Sequence, residues 1–190
     1  MKYVALSPFV KYKSAETHTP IREGYTVSLE FEGELIIEMA TDEDWEFIMP
    51  GFVEGTYMAM GPDERGELGP ATVRERCAMQ AEWIRGPEGF FNQAFVARTA
   101  DGAMVGHVWV ARVLNQFTGR SEAMVLNLYV EEDFRGRGAA KRLMDVVEDW
   151  ARDQVLERIG LSVAVDNEPA VRLYEVLGYT LENQRMSRRL

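Results

Sequence analysis

The chain has 190 residues, 46% of them hydrophobic and 27% charged, a composition that fits one globular domain with a core able to stand unaided. Its single cysteine, Cys77, excludes an intrachain disulfide, and no Cys/His spacing of a zinc site occurs. The 21 Lys and Arg stand against 31 Asp and Glu, a net charge of −10 that argues against nucleic-acid binding, where a basic footprint supplies most of the affinity.

The first residues, Met1 to Leu6, lack the apolar run of a signal peptide, and Pro8 follows them. No stretch approaches the ~20 apolar residues of a membrane span. A cytoplasmic protein is expected. Tyr25, Val27, Leu29 and Phe31 alternate with polar residues, the pattern of a half-buried strand, and Glu32-Gly33 turns the chain into a second strand, Leu35–Met39. Residues 1–34 therefore read as an N-terminal extension of strand character, packed on a main domain at 35–190. Its apolar face is a candidate contact for a homodimer. Thr41 followed by three acids predicts a capped helix start, which Pro50-Gly51 is expected to interrupt. The Gly- and Pro-rich stretch Met58 to Pro70 reads as a loop.

Thr72 with Glu75 has the spacing of a capping box, and Val73, Cys77, Gln80 and Ile84 share one face of the helix that follows. Cys77 is core on this reading. Strands Ala94–Thr99 and Ala103–Val113 meet at Asp101-Gly102, a hairpin signal. His107 and Trp109 lie on one face of the second of these, a face that could line a cleft, and are read as packing. A strand at Met124–Val130, an amphipathic helix at Gly138–Gln154 and a strand at Ile159–Val165 follow. Ala170, Leu173, Tyr174 and Leu177 mark a last helix, and the final dozen residues predict a closing strand. The layout is mixed α/β.

The most informative segment runs from Leu126 through Glu131-Glu132-Asp133-Phe134-Arg135-Gly136-Arg137-Gly138 to Lys141. A strand ends, and a glycine-rich turn opens a long helix. Unpaired N–H groups at the helix start and the positive end of its dipole suit a pyrophosphate, and glycine lets phosphate approach the backbone. Arg135, Arg137, Lys141 and Arg142 concentrate positive charge there in an acidic chain. The dinucleotide fingerprint is absent, since its third glycine and its later acidic residue are missing, and no P-loop pattern occurs.

The second segment, Leu161 to Tyr179, reads strand, Asn, helix, Gly-aromatic. Together the two segments resemble the GNAT superfamily of acyl-CoA-dependent N-acyltransferases. The pyrophosphate signature Arg/Gln-x-x-Gly-x-Gly/Ala is matched by Arg135, Gly138 and Ala140; the signature Asn-x-x-Ala-x-x-x-Tyr then Gly-Phe/Tyr is matched by Asn167, Ala170, Tyr174 and Gly178-Tyr179. The resemblance covers residues 35–190. It implies a GNAT fold: a central, mostly antiparallel sheet, splayed in the middle and flanked by helices.

The resemblance also implies roles. Leu128, Tyr129 and Val130 would pair through their backbone with the pantetheine arm of acetyl-CoA, with the Leu128 N–H facing the thioester carbonyl. The backbone from Gly136 through Arg137, Gly138, Ala139 and Ala140 to Lys141 would cradle the pyrophosphate. Asn167 would bond the pantetheine or simply cap its helix. Tyr174 would protonate the departing thiolate, or be core. The family's usual base positions hold Ser162 and Met124, so Glu122, two residues before Met124 and on the same strand face, becomes the candidate base. The implied reaction moves an acetyl group from acetyl-CoA to a primary amine of a small molecule, peptide or protein, with no metal, nucleic acid or membrane involved. The rival is a GNAT-like domain that binds acyl-CoA without transferring it: Tyr174 weighs against that, and the missing base weighs for it.

Overall fold

The structure, a computed structural model, describes residues 29–31, 33–184, 186 and 188. Six strands form one sheet in sequential order: β1 (Leu29–Phe31), β2 (Gly33–Met39), β3 (Asn92–Thr99), β4 (Met104–Leu114), β5 (Ser121–Val130) and β6 (Ile159–Leu161). The first five are antiparallel to their neighbours, and β6 alone runs parallel to β5. Helix α3 (Ala139–Asp153) makes the crossover between them. Most of the predicted Tyr25–Phe31 strand lies outside the described residues; its last three positions form β1.

Alternation along the strands assigns the two faces. Val108 and Val110 of β4 meet Leu143, Val147 and Trp150 of α3. Trp109, between them, faces the other layer with Ile48 and Phe52 of α1 (Trp45–Ala59) and Val73 and Cys77 of α2 (Pro62–Arg85). Cys77 is thus core. Helix α4 (Glu168–Val176) follows β6.

Four local expectations are corrected. Asp44, not Thr41, organises the start of α1: both the backbone N–H and the hydroxyl of Thr41 donate to Asp44 Oδ2, at 2.8 and 3.0 Å. Pro50-Gly51 does not interrupt α1. Proline forfeits one helix hydrogen bond, but buried Ile48, Gly51 and Phe52 hold the turn against the sheet. Much of the predicted loop from Met58 to Pro70 is helix. Pro62 occupies the first helical position, which proline suits, and Glu64 reaches back to the Gly61 N–H at 3.3 Å. The loop composition survives as a kink at Gly69, whose φ of 66° is left-handed. Fourth, no closing strand forms among the described residues up to Gln184. Glu182-Asn183-Gln184 offers no apolar alternation to bury, and Glu182 pairs with Arg158 instead.

The central feature is where β5 and β6 part. They pair only at Ala123–Ile159, Met124–Gly160 and Val125–Leu161. The strand expected to reach Val165 stops at Leu161 because β5 turns away. The register between β4 and β5 shifts between Trp109–Asn127 and Val110–Val125, leaving Leu126 as an extra residue. Such a bulge bends a strand and sharpens its twist. Leu126 to Val130 therefore leave the β6 side of β5 open.

Candidate active site

The splay opens a cavity of about 110 Å³ whose walls include Leu126, Asn127 and Leu128 of β5, Leu161 to Ala164 of and beyond β6, and Asn167, Ala170 and Tyr174. Two of the predicted site segments, the end of β5 and the Asn167–Tyr174 stretch, thus meet across one cleft. On its β4 side Leu128 pairs with Val108, Tyr129 with His107 and Val130 with Gly106, so only the opposite edge of these residues is left for a ligand.

Beyond Val130 the chain makes a short 3-10 turn at Glu132–Phe134 and enters the glycine segment. Gly136 and Gly138 both have positive φ, 74° and 88°, and a Cβ at either would meet nothing within 4 Å. The turn is open on its outer side. Gly138 is the N-cap of α3 and offers no side-chain hydrogen bond, while the first helical bond runs from the Arg142 N–H to the Gly138 carbonyl at 3.1 Å. The N–H groups of Ala139, Ala140 and Lys141 precede that bond and so lack helical partners. Helix dipole and backbone donors converge at that end, a fit for an anionic oxygen cluster. Around it, Lys141 is held by Asp145 at 2.9 Å, and the Arg137 guanidinium lies 5.9 Å from the Phe134 ring centroid. Arg135 is turned back along the surface toward β5 and α1: its Nε donates to the Val130 carbonyl at 2.8 Å and its guanidinium lies 3.7 Å from Glu54 of α1.

Asn167 is the N-cap of α4, accepting from the Ala170 N–H at 3.3 Å, so its capping role and its place on the cleft wall coexist. Tyr174 packs edge-on against Tyr179, with centroids 5.8 Å apart. Burial pushes its phenol up to about 12, so it stays protonated and able to donate through the neutral range.

Glu122 is not brought to the cleft. It sits at the opposite end of β5, six residues before Leu128, which is roughly 20 Å along an extended strand. There it is buried, accepts from Asn115 Nδ2 at 2.8 Å, and lies 3.9 Å from Arg158 Nε. Sequence reasoning placed it on the right strand face, but the strands separate only beyond Val125. None of the residues lining the cavity is a carboxylate or a histidine.

On the α1 face of the sheet the sequence reading passed over Asn127 and took its partner His107 as packing. His107, fully buried, places Nε2 2.6 Å from Oδ1 of Asn127, and its Nδ1 has no partner. Burial lowers the imidazole to about 4, against a weaker opposing contribution from the Asn127 hydrogen bond. Helix α1 lies directly on the pair through two glycines. A Cβ at Gly51 would sit 2.6 Å from His107 Cε1 and 2.7 Å from Tyr129 Cγ, and one at Gly55 would sit 2.6 Å from Asn127 Nδ2. The readable signal was glycine at i and i+4 in a helix, which costs stability unless a close approach needs it.

Among the described residues no cluster of three or more His, Cys, Asp or Glu could hold a metal ion, and no helix is long and apolar enough to cross a membrane. Residues 54–179 match the acetyltransferase (GNAT) family. The chain is 33% identical over 89 residues to the uncharacterized N-acetyltransferase YdgE of Bacillus subtilis (strain 168), covering 47% of this chain and 55% of that protein. It is 33% identical over 86 residues to the L-amino acid N-acetyltransferase AaaT of Escherichia coli (strain K12), covering 43% and 50%. The chain spans about half the length of these curated relatives. Among solved structures, a putative acetyl transferase from Pyrococcus furiosus superposes with a TM-score of 0.71 at 26% identity, over 83% of this chain and 100% of that one. The structure of AAC(6')-Iy in complex with a bisubstrate analog, CoA-S-monomethyl-acetylneamine, shares the fold with a TM-score of 0.58 at 17% identity, over 82% and 97%.

Proposed function

Since this chain belongs to the GNAT acetyltransferase family, we propose that it moves an acetyl group from acetyl-CoA to a primary amine by direct attack in a ternary complex. The observation that carries this most is the convergence of Leu128 and Tyr174 on one cleft, on the strand whose end leads into the glycine turn and the open N-terminus of α3. Acetyl-CoA would supply an activated acyl thioester and a pyrophosphate. The N–H groups of Ala139 to Lys141, without helical partners, fit the pyrophosphate, and the edge of β5 from Leu128 to the Val130 N–H, which β6 leaves open, fits an extended arm.

On this reading the Leu128 N–H stabilises negative charge on the carbonyl oxygen during attack. Tyr174 holds its proton through the neutral range and gives it to the departing sulfur. The ammonium of the acceptor loses its proton to water, because the cavity wall carries no carboxylate or imidazole and Glu122 lies far along the strand. On this reading everything that meets acetyl-CoA lies between Leu128 and Tyr174, so deleting residues 1–24 should leave acetyl-CoA affinity within a few-fold. Thiol release from acetyl-CoA, measured across a panel of amines, tests the activity. Tight acetyl-CoA binding with no amine-stimulated release would favour a binding module instead.

A further inference from the structure

Asn127 follows the bulged residue Leu126 and turns its side chain to the α1 face, while lining the cleft at 9% exposure. Its Oδ1 is taken by His107 Nε2 at 2.6 Å. Proton placement in that pair follows from what surrounds the ring. Were the amide reversed, with its NH2 toward Nε2, the histidine proton would move to Nδ1, which has no partner and is sealed from solvent. A buried orphan N–H is rarer and costlier than a buried unfilled lone pair. His107 therefore donates, Asn127 accepts, and Nδ2 is directed away from the histidine. The depressed pKa of His107 keeps that arrangement neutral.

Nδ2 makes no hydrogen bond to any described residue, and α1 closes on it at Gly55, where even a Cβ would fall 2.6 Å away. A rigid amide donor on a cleft wall without a protein acceptor is satisfied only by water or by a ligand oxygen. It cannot serve an ammonium group, which is itself a donor.

We propose that Asn127 selects the acceptor: its Nδ2–H bonds an oxygen carried beside the reacting nitrogen, and His107 is the positioning residue that fixes the amide for this purpose. The acceptors favoured are amines bearing a neighbouring carbonyl, carboxylate or hydroxyl oxygen rather than plain alkylamines. This rests on the acetyl-transfer reading. It concerns only the acceptor, since the Asn127 side chain lies on the α1 face, whereas the thioester would meet the backbone of Leu128.

The test compares glycinamide and ethanolamine with propylamine, as kcat/KM per concentration of free amine, using the full chain and acetyl-CoA. A site built around a buried donor discriminates against the analogue that leaves it unpaired. The wild type should prefer at least one oxygen-bearing amine by about tenfold or more. Asn127→Asp, which keeps the shape and removes the donor, should bring the preference within about twofold and leave acetyl-CoA affinity unchanged in calorimetry. His107→Phe should lose much of the preference, and His107→Gln, which can still donate to Oδ1, should retain more of it. Should the variants fold poorly, the wild type suffices. Glycinamide added to the CoA-bound protein should shift the side-chain amide resonance of Asn127, and propylamine should not. Equal use of all three amines, an unmoved Asn127 resonance, or an Asp variant that lowers kcat equally for every amine overturns the acceptor role. Acetyl-CoA binding without transfer to any amine overturns the activity itself, and is recognised by the missing thiol release.

Discussion

Arg135 donates its Nε–H to the carbonyl of Val130 at 2.8 Å, tying the residue that opens the glycine turn to the last residue of β5. The arginine of the pyrophosphate signature thus sets where the turn sits relative to the cleft. Its ion pair with Glu54, at 3.7 Å between half-exposed side chains, adds little, because solvent screens it.

Arg135→Lys keeps the charge but loses the planar fork that lets one guanidinium hold a backbone carbonyl. A turn no longer tied to β5 has to be ordered when the ligand binds, so acetyl-CoA affinity should fall by about three- to tenfold in calorimetry. Glu54→Gln should leave it within about twofold.

Gly138 adopts φ 88° at the head of α3. Gly138→Asp should weaken acetyl-CoA by more than about tenfold, while Gly138→Asn, which tolerates the left-handed conformation without adding charge, should lose far less. Equal losses in the two variants would assign the effect to shape rather than charge. Affinity of the wild type should also fall as salt rises.

Tyr174→Phe retains the ring that packs on Tyr179 and removes a hydroxyl that bonds no described residue. Thermal stability should hardly change. Turnover should drop by about 10²–10⁴-fold if the phenol is the acid, and a loss under about tenfold would leave it a packing residue.

Glu122→Gln should keep turnover within about twofold and leave the low-pH limb of the rate profile in place, because the carboxylate lies at the paired end of β5. Glu122→Ala should instead cost roughly 1–3 kcal/mol in denaturant unfolding, since it strands the amide that Asn115 now gives to Glu122. A shifted limb in the Gln variant would return Glu122 to catalysis.

His107 makes stability depend on acid. Burial depresses the folded-state pKa from 6.5 to about 4, so between those values the unfolded chain binds a proton that the folded one refuses. Stability therefore falls as pH drops from about 6.5 toward 4, by up to roughly 3 kcal/mol from this residue. Denaturant unfolding at pH 7 and 4.5 should show the loss. His107→Gln should flatten the slope across that window.

Local pattern in the chain determined much of this protein. Period-two alternation, the Asp101-Gly102 turn and the apolar stripe of α3 located β3, β4, β5 and α3 to within a few residues, because those signals depend on near neighbours alone. The two signatures named the family, since a left-handed glycine at a helix start and an Asn cap before a tyrosine are themselves local geometry. Tertiary structure decided what depends on distant residues. Helix α1 runs through Pro50 because the sheet holds it. The cleft begins at Leu126 because a bulge against Trp109 bends β5 away from β6. That bend separates Glu122 from the cleft, although the two share a strand face. It also leaves Asn127 bonded to His107, twenty residues away in sequence, beneath two glycines of α1. No window of sequence carries that pairing: it exists only where β4, β5 and α1 are packed together.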